Sequence, residues 1–357
     1  MSTEVLTVDS AMHRALELAA RGPVTGPNPQ VGCVLLAPGA GAERAVLAEG
    51  WHRGAGTAHA EVDALARAAE RGVDVRGSTA VVTLEPCNHV GRTGPCAAAL
   101  VEAGVAEVVY AVADPNPAAA GGAVHLRAHG VQVRAEVHEA AGAELLRVWL
   151  TAARRGTPYV TLKTATSLDG CVAAADGSSR WITGSAAREH AHAVRARVDA
   201  IAVGTGTLLA DDPSLTARTP DGALAAHQPL RVVVGERDLP PGARVLGSGG
   251  EMLHLRTRDV REVLTVLGAR GVRHLLVEGG PVLASAFLRA GAVDELHSYV
   301  APVLMGSGRR AIMDLGGRSL DDALRFRTIH TQQLGDDVLV VSRTLHPGAV
   351  DDRVKES

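Results

Sequence analysis

Three side chains that bind soft divalent metals stand near a carboxylate in the first third of the chain. His59 precedes Glu61 by two residues at the expected start of a helix, and Cys87 and Cys96 each follow a proline. One imidazole and two thiolates suit zinc with a fourth position left for water, although iron accepts the same donors. We expect both cysteines at helix starts, where the positive end of the backbone favours the thiolate. Glu61 is then placed to carry a proton from that water to a leaving amine.

Together, these motifs match the signature of the zinc nucleobase deaminases. Each motif is weak alone, and the alternative is a solvated histidine with buried structural cysteines, but their helix–strand–helix order strengthens the zinc interpretation. The eight residues 88–95 replace the usual two-residue spacer between the cysteines. In this loop, His89 and Arg92 are candidates to bind an anionic substrate group, or else they belong to an exposed surface loop.

Composition favours a soluble cytoplasmic enzyme of two or more domains. The chain has 357 residues, 46% of them hydrophobic and only 2% aromatic, with a net charge of -3. Its scattered Lys and Arg residues argue against a nucleic-acid footprint or a polybasic membrane patch. No apolar run is long enough to span a bilayer, and the N-terminus lacks the features of a signal peptide. Four cysteines do not make a disulfide scaffold in a chain of this length; Cys33 lies in an apolar strand as core, and Cys171 has no partner nearby in sequence.

Short apolar runs alternate with amphipathic stretches, which predicts an α/β architecture. The first helix is expected at 7–21, with Asp9 or Ser10 as its N-cap. A helix that ends near 154–156, followed by Pro158, places a domain boundary at about 150–157. The remaining predicted helices are 60–70, 96–103, 185–197, 259–270 and 281–290. The predicted strands are 31–36, 45–49, 79–84, 105–113, 159–165, 200–204, 230–235, 251–255, 274–278, 295–301 and 338–342.

The second half contains a turn that could hold a nucleotide. Glu278 ends an apolar strand, and two glycines and Pro281 lead into a helix. Glycines let the backbone approach a ligand, and a helix N-terminus can hold a pyrophosphate, but such turns are more often simple connections. A Rossmann fingerprint is absent. The residue types alone leave Lys163 open as a sheet-edge charge, and Arg195 and Arg218 open as solvated surface charges.

Longer blocks in both halves resemble the bifunctional riboflavin-biosynthesis deaminase–reductase family. In the first half they are GPNPQVGCV at 26–34, GWH at 50–52, HAEV at 59–62 and TLEPCNHVGRTGPC at 83–96. In the second half they cover 163–170, 179–183, 204–218 and 277–283. The likeness extends over about residues 9–345. The chain departs from the family pattern at Asn88, where serine is usual, and at Gly94, where a second proline is usual.

The resemblance implies a cytidine-deaminase-like three-layer domain at 1–150. Zinc would be bound by His59, Cys87 and Cys96, and Glu61 would act as the catalytic proton shuttle. The implied substrate contacts in this half are Asn28, His52, His89 and Arg92.

For the second half, the resemblance implies a dihydrofolate-reductase-like α/β domain at 157–346 that uses NADPH. The charged residues after Pro347 predict a flexible tail at 347–357. The implied cofactor contacts are Ala165, Trp181, Thr207, Asp211, Gly280, Pro281, Val282, Leu283, Ala284 and Ser285. The implied substrate contacts are Lys163, Ser179, Arg195, Leu215, Arg218 and Glu278. We assign positioning or polarising roles in catalysis to Lys163 and Asp211, and pairing with the substrate phosphate to Arg195 and Arg218.

We therefore expect two consecutive reactions on a phosphorylated pyrimidine, in a homo-oligomer without nucleic-acid or membrane partners. One rival is a deaminase of tRNA or free bases with an idle second domain, but 3 Trp, 3 Tyr and 2 Phe offer little aromatic surface for RNA. The other rival is a zinc-stabilised binding protein, which needs a fourth protein ligand; His89 comes closest to the required spacing.

Overall fold

The computed structural model describes residues 4–39, 41–88, 94–116 and 121–345. The chain divides into two compact units, Met1–Gly156 and Thr157–Ser357. Each unit combines helices with a main sheet, which confirms the predicted α/β class. The predicted flexible tail lies outside the described residues. Among the described residues, every helix is too short or too polar to cross a membrane.

The N-terminal unit alternates strands and helices along its length. Its strands are β1 (Val5–Leu6), β2 (Gly32–Leu36), β3 (Arg44–Trp51), β4 (Thr79–Leu84), β5 (Glu107–Val112) and β6 (Gln132–Arg134). Its helices are α1 (Val8–Ala19), α2 (Ala60–Glu70), α3 (Cys96–Glu102), α4 (Gly122–Ala128), α5 (Glu139–Leu145) and α6 (Arg147–Arg155).

Within the described residues of this unit, the strands form one sheet in the order β1-β3-β2-β4-β5-β6. The pairs β1–β3, β3–β2 and β2–β4 are antiparallel, whereas β4–β5 and β5–β6 are parallel. Every residue of β2 and β4 is buried, as expected of central strands covered on both faces. Cys33 is one of these buried strand residues, so its predicted core role is confirmed.

Two glycines allow helices to press onto opposite faces of this sheet. A Cβ on Gly32 would lie 2.0 Å from the Ala15 carbonyl oxygen of α1, and a Cβ on Gly50 would lie 2.4 Å from the Ala60 carbonyl oxygen of α2. Gly50 pairs with Cys33, the neighbour of Gly32, so the two close approaches fall on alternate faces. The result is a three-layer unit in which α2 is pressed against β3.

The start of α1 differs from the sequence prediction. Thr7 is the N-cap, and it forms a capping box with Ser10, each side chain bonding the other residue's backbone N–H. Asp9 lies in the first helical turn instead of at the cap. Thr7 takes the cap because its extended backbone directs its hydroxyl to the Ser10 N–H.

The C-terminal unit contains a larger sheet. Its strands are β7 (Tyr159–Ser167), β8 (Cys171–Ala174), β9 (Ala200–Gly204), β10 (Leu230–Val234), β11 (Met252–Leu255), β12 (His274–Val277), β13 (Glu295–Ala301), β14 (Gly308–Arg310), β15 (Phe326–Leu334) and β16 (Asp337–Thr344). Its helices are α7 (Ser185–Arg195), α8 (Thr205–Asp211), α9 (Val260–Ala269) and α10 (Pro281–Arg289), with 3₁₀ turns at Arg244–Leu246 and Leu320–Asp322.

In the described part of this unit, eight strands pair in the order β11-β10-β9-β12-β7-β13-β16-β15. The strands from β11 to β13 run parallel, whereas β16 and β15 are antiparallel additions. The carboxyl ends of β9, β10 and β12 therefore meet along one edge of the sheet, where ligands bind in open α/β sheets. Leu162 of β7 pairs with Val277 of β12, so Lys163 lies beside Glu278.

Candidate active sites

Three elements of the N-terminal unit bring the predicted metal ligands together. His59 is the N-cap of α2, Cys87 lies in the segment after β4, and Cys96 is the first residue of α3. The His59 Nδ1 atom lies 3.2 Å from the Cys96 Sγ atom and 3.5 Å from the Cys87 Sγ atom. The three donor atoms all lie within 4.8 Å of one another. One imidazole and two thiolates at this spacing fit a zinc ion.

Cys87 does not begin a helix, contrary to the sequence prediction. The backbone stays extended beyond β4 because the Glu85 N–H still bonds the Val112 carbonyl oxygen. Cys87 is instead contacted by the start of another helix, α3. The backbone N–H of Cys96, the first residue of α3, points to the Cys87 Sγ atom at 3.5 Å. The expected stabilisation of a thiolate by a helix start therefore reaches Cys87 through α3.

The two cysteines have unequal affinities for their protons. The hydrogen bond from the Cys96 thiol, helped by His59, lowers the pKa of Cys87 to about 4 against the opposing effect of burial. The same hydrogen bond, together with burial, raises the pKa of Cys96. One sulfur is thus already a thiolate near neutral pH, which is the form that binds a metal.

Glu61 is in the first turn of α2 and only 3% exposed. Burial is the main cause that raises its pKa to about 7. A carboxyl group whose pKa lies near neutrality can both accept and donate a proton during a reaction.

Asn28 and His52 form a hydrogen-bonded pair next to the metal ligands. The Asn28 side-chain amide donates to the His52 Nε2 atom at 3.0 Å, and the His52 Nδ1–H donates to the Ala58 carbonyl oxygen at 3.0 Å. The His52 ring contacts the His59 ring edge-on at 5.4 Å. Burial lowers the pKa of His52, so its ring is neutral and carries its proton on Nδ1.

Two buried carboxylates that position this site were missed in the sequence. Glu85 accepts the Ala123 N–H at 2.9 Å and the Asp114 N–H at 3.3 Å, which ties the segment before Cys87 to the start of α4 and to the segment after β5. Asp63 accepts the Trp51 N–H at 3.1 Å and so joins α2 to the end of β3. A charged residue directly after an apolar strand, as at Glu85, was the available signal. The predicted contacts His89 and Arg92 lie outside the described residues.

In the C-terminal unit, three predicted substrate residues form one charged cluster. The Arg195 Nε and Nη2 atoms donate to the two Glu278 carboxylate oxygens at 2.7 and 2.8 Å, and its Nη1 atom donates to the Thr216 carbonyl oxygen at 3.2 Å. The Lys163 Nζ atom lies 3.8 Å from the Glu278 carboxylate. Two cations against one carboxylate leave a net positive charge, which suits an anionic ligand.

Charge and burial oppose each other in this cluster. Burial alone would raise the pKa of Glu278, but the charges of Arg195 and Lys163 outweigh it and hold that pKa at about 2. Burial lowers the pKa of Lys163, and the Glu278 charge offsets part of that effect. Glu278 is therefore a carboxylate throughout the physiological pH range.

Lys163 also lies over an aromatic ring that the sequence analysis missed. Its Nζ atom is 5.4 Å from the centre of the buried Tyr299 ring. The Tyr299 hydroxyl is hydrogen-bonded to the His190 Nδ1 atom at 2.7 Å. The ring contributes a cation–π contact to the Lys163 ammonium, and His190 fixes the ring.

In the turn before α10, the Gly280 backbone lies close to the Thr207 side chain of α8. Gly280 donates its N–H to the Thr207 Oγ1 atom at 2.9 Å, and a Cβ on Gly280 would lie equally close to that oxygen. The turn therefore needs glycine, and it places the first amides of α10 beside α8. A helix N-terminus approached through such a turn fits the pyrophosphate of NADPH.

The other predicted cofactor residues fall into two groups. Trp181 and Val282 are exposed, Ala165 and Asp211 are half-buried, and Pro281 begins α10. By contrast, the side chains of Leu283, Ala284 and Ser285 are buried, and the Ser285 hydroxyl accepts the Met313 N–H at 2.8 Å. Their side chains thus serve the core, so a cofactor would meet this stretch through the backbone. That these residues bind the cofactor stays a prediction.

The remaining predicted substrate residues are Arg218, Leu215 and Ser179, which are not members of the charged cluster. Arg218 is half-buried and donates to the Gly222 carbonyl oxygen at 2.7 Å. Leu215 is buried with a φ of 55°, and Ser179 is half-buried. Their binding roles stay predictions.

Comparison with known families and proteins covers both units. Residues 7–112 match the family described as the cytidine and deoxycytidylate deaminase zinc-binding region, and residues 158–340 match the RibD C-terminal domain. The riboflavin biosynthesis protein RibD of Mycobacterium tuberculosis is 50% identical over 340 residues, covering 94% of this chain and 97% of that protein. RibD of Escherichia coli is 40% identical over 362 residues, covering 92% and 96%.

Solved structures agree over nearly the whole chain. RibD of Acinetobacter baumannii superposes with a TM-score of 0.84 at 38% identity, covering 95% of this chain and 99% of that one. A diaminohydroxyphosphoribosylaminopyrimidine deaminase/5-amino-6-(5-phosphoribosylamino)uracil reductase from Thermotoga maritima gives a TM-score of 0.83 at 31% identity, with the same coverage.

Proposed function

Because this chain belongs to the RibD family of bifunctional riboflavin biosynthesis proteins, we propose that it carries out two consecutive reactions on one phosphorylated pyrimidine. The first is hydrolytic deamination of 2,5-diamino-6-(ribosylamino)pyrimidin-4-one 5′-phosphate. The second is NADPH-dependent reduction of the ribose of 5-amino-6-(5-phosphoribosylamino)uracil to the ribitylamino product. The observation that carries the proposal is the meeting of His59, Cys87 and Cys96 beside the buried Glu61.

In the deaminase unit, His59, Cys87 and Cys96 would hold zinc, which would supply the Lewis acidity that activates a water molecule for attack on the amine-bearing ring carbon. Glu61 takes the proton of that water on its carboxylate and returns it to the departing amine, so that ammonia leaves. Its pKa of about 7 suits both transfers.

Substrate orientation in this unit falls to Asn28 and His52. Their mutual hydrogen bond fixes both side chains, and the neutral His52 ring does not repel the metal. We assign His89 and Arg92 to the anionic end of the substrate because their side chains are cationic or able to become so.

In the reductase unit, NADPH supplies the hydride for C1′ of the ring-opened ribose. Glycine at position 280 and the first amides of α10 bind its pyrophosphate. Hydride addition to C1′ moves the electron pair of the C1′–nitrogen double bond onto that nitrogen, which then takes up a proton. Lys163 polarises this nitrogen, while Glu278 and Tyr299 hold the ammonium in place. Asp211 acts as a positioning residue at the end of α8.

The substrate phosphate is assigned to Arg195 and Arg218. Arg195 is already paired through two nitrogens with Glu278, so it adds positive potential more than new hydrogen bonds. Arg218 donates one hydrogen bond to the Gly222 carbonyl oxygen, and its guanidinium has further N–H groups that can bind the phosphate.

We also propose that the enzyme works in the cytoplasm as a homo-oligomer. The support for self-association is β15, an edge strand of the larger sheet whose residues are mostly exposed and include Ile329 at 45% exposure. Such an edge is a template for pairing with a second copy. Light scattering of the purified chain should give at least twice the monomer mass, and Ile329→Lys should lower it; a monomer in both samples would contradict the proposal.

The two reactions are tested separately with one variant. Glu61→Gln should keep the zinc held by His59, Cys87 and Cys96 and lower the rate of ammonia release about 100-fold or more, since the proton carrier is lost. The same variant, given the deaminated intermediate, should consume NADPH at the wild-type rate. Glu70→Gln, at the exposed end of α2, is the matched control and should change neither rate. Undiminished ammonia release by Glu61→Gln would contradict the deaminase mechanism.

A further inference from the structure

A second group of metal-binding side chains lies on the surface of the N-terminal unit, apart from the zinc ligands. It consists of Asp9 and His13 of α1 and His138, the residue that caps α5. Their three donor atoms all lie within 4.8 Å of one another. The proposed deaminase chemistry uses none of them.

The helix places the first two of these side chains on one face. Asp9 and His13 are four residues apart in α1, and residues at that spacing lie one above the other. His138 reaches them from a segment more than a hundred residues later, with its Nε2 atom 2.5 Å from the Asp9 carboxylate. The rings of His13 and His138 are 4.3 Å apart, centre to centre. Two chain segments thus bring two imidazoles and one carboxylate together.

The spacing is close to what a metal ion requires. Three atoms within 4.8 Å of one another share a point no more than about 2.8 Å from each, the separation divided by the square root of three. Zinc bonds to imidazole nitrogen and carboxylate oxygen at roughly 2.0–2.2 Å, so shifts of less than about 1 Å complete the site. Exposed side chains make such shifts by small rotations about their own bonds, and Asp9 and His13 are both exposed.

From this geometry we propose that Asp9, His13 and His138 form a surface site for a divalent transition cation of the zinc class. Two imidazoles and a carboxylate favour Zn²⁺, Co²⁺, Ni²⁺ or Fe²⁺ over Mg²⁺ or Ca²⁺, which prefer oxygen ligands. Water completes the coordination because the site is open to solvent. The bound ion links the first turns of α1 to the start of α5, so it stabilises the N-terminal unit.

A simple ion pair between Asp9 and His138 is the competing explanation. It accounts for the 2.5 Å contact, but it gives no role to the imidazole of His13. The two explanations differ in stoichiometry, because an ion pair binds no metal.

The test counts ions on the full chain with its zinc site already filled. Equilibrium dialysis against a series of buffered Zn²⁺ concentrations, followed by elemental analysis, should give two zinc ions per wild-type chain. His13→Asn and Asp9→Asn should each weaken binding of the second ion about tenfold or more and leave the first unchanged. At zinc concentrations that fill the second site, the thermal unfolding midpoint of the wild-type chain should rise with added zinc. The midpoint of His13→Asn should not rise over the same range.

The chain provides a matched control in His125 and His129. The rings of His125, in α4, and His129, the residue that caps its end, are also 4.3 Å apart, but no carboxylate joins them in a ligand group within the described residues. The double variant His125→Asn/His129→Asn should retain the second ion. Uptake of a single ion by the wild-type chain would overturn the proposal, and so would loss of the second ion in the α4 double variant with retention in His13→Asn.

Discussion

Arg195 forms a bidentate ion pair with Glu278, in which its Nε atom lies 2.7 Å from Oε1 and its Nη2 atom lies 2.8 Å from Oε2. The two residues are far apart in the chain and come from α7 and the end of β12. Paired N–H donors of this kind fix orientation as well as charge. The pair therefore sets where the Lys163 ammonium can lie, since that group is 3.8 Å from the same carboxylate.

The charge on Glu278 makes the stability of the C-terminal unit depend on pH in the acid range. Its pKa is about 2 in the folded chain against 4.5 ordinarily, so its contribution to the free energy of unfolding is complete above pH 4.5. That contribution, on the order of 3 kcal/mol, is lost as pH falls from 4.5 towards 2. In Glu278→Gln, urea unfolding of the full chain should lose this part of the pH dependence.

The control for that measurement is Glu189→Gln, at an exposed position on α7. Its unfolding free energy should follow the wild-type pH dependence. A Glu278→Gln profile parallel to the wild-type profile between pH 4.5 and 3 would show that Glu278 is not held ionised in the folded chain.

Zinc binding should depend on Cys96 and not on Cys33, a buried cysteine outside the ligand group. Cys96→Ala removes one of three protein ligands. After dialysis against metal-free buffer, which empties the open surface site, its zinc content should fall well below one per chain, and ammonia release should fall with it. Cys33→Ala, in the buried strand β2, removes a thiol of the same kind outside the ligand group and should keep the metal. Full zinc retention by Cys96→Ala would remove this residue from the ligand set.

Gly50 should matter for the deaminase although it touches no ligand. A Cβ there would lie 2.4 Å from the Ala60 carbonyl oxygen and the Ala64 nitrogen, so Gly50→Ala must push α2, with His59 and Glu61, away from β3. We expect a loss of about 2 kcal/mol or more in the free energy of unfolding, together with slower ammonia release. Gly41→Ala, where the nearest atom is 3.6 Å away, should change stability by less than about 0.5 kcal/mol. Equal effects of the two variants, measured by urea unfolding, would contradict the packing argument.

Tyr299 should influence the reductase through its ring more than through its hydroxyl. Tyr299→Phe loses the hydrogen bond to His190 but keeps the ring beside Lys163, so we expect a loss of about 1 kcal/mol in stability and a small change in kcat. Tyr299→Leu removes the cation–π contact and should lower kcat further and shift the pH profile of NADPH oxidation. Identical kinetics and pH profiles for the two variants would argue against a positioning role.

Much of the fold could be predicted where periodicity and burial agree. The helix at 60–70 and the strands at 200–204 and 295–301 have the predicted bounds. The edge strand β15 was missed because most of its residues are exposed and polar, so it lacks the apolar run that marks a buried strand. The two-residue strand β1 is too short to leave a pattern.

The metal ligands could be predicted because they occur in short sequence motifs. The contacts that support the two sites could not be predicted. The bond from Glu85 to Ala123 and the pairing of Arg195 with Glu278 join residues distant in sequence, and only the folded chain brings them together. The same reason applies to His190 and Tyr299, whose types are ordinary for a helix and a strand. Spacing along the chain carries no information about such pairs.

On the proposed function, one chain removes an amine and then reduces the same molecule. The most direct measurement supplies the diamino substrate and NADPH together and follows ammonia release and NADPH absorbance in one vessel, with and without prior removal of zinc by a chelator. We expect one NADPH oxidised for each ammonia released, and loss of both signals in the chelated enzyme. Added zinc should restore both signals, whereas the added deaminated intermediate should restore NADPH oxidation alone. NADPH oxidation from the diamino substrate without ammonia release, or ammonia release that persists after the metal is removed, would contradict the proposed function.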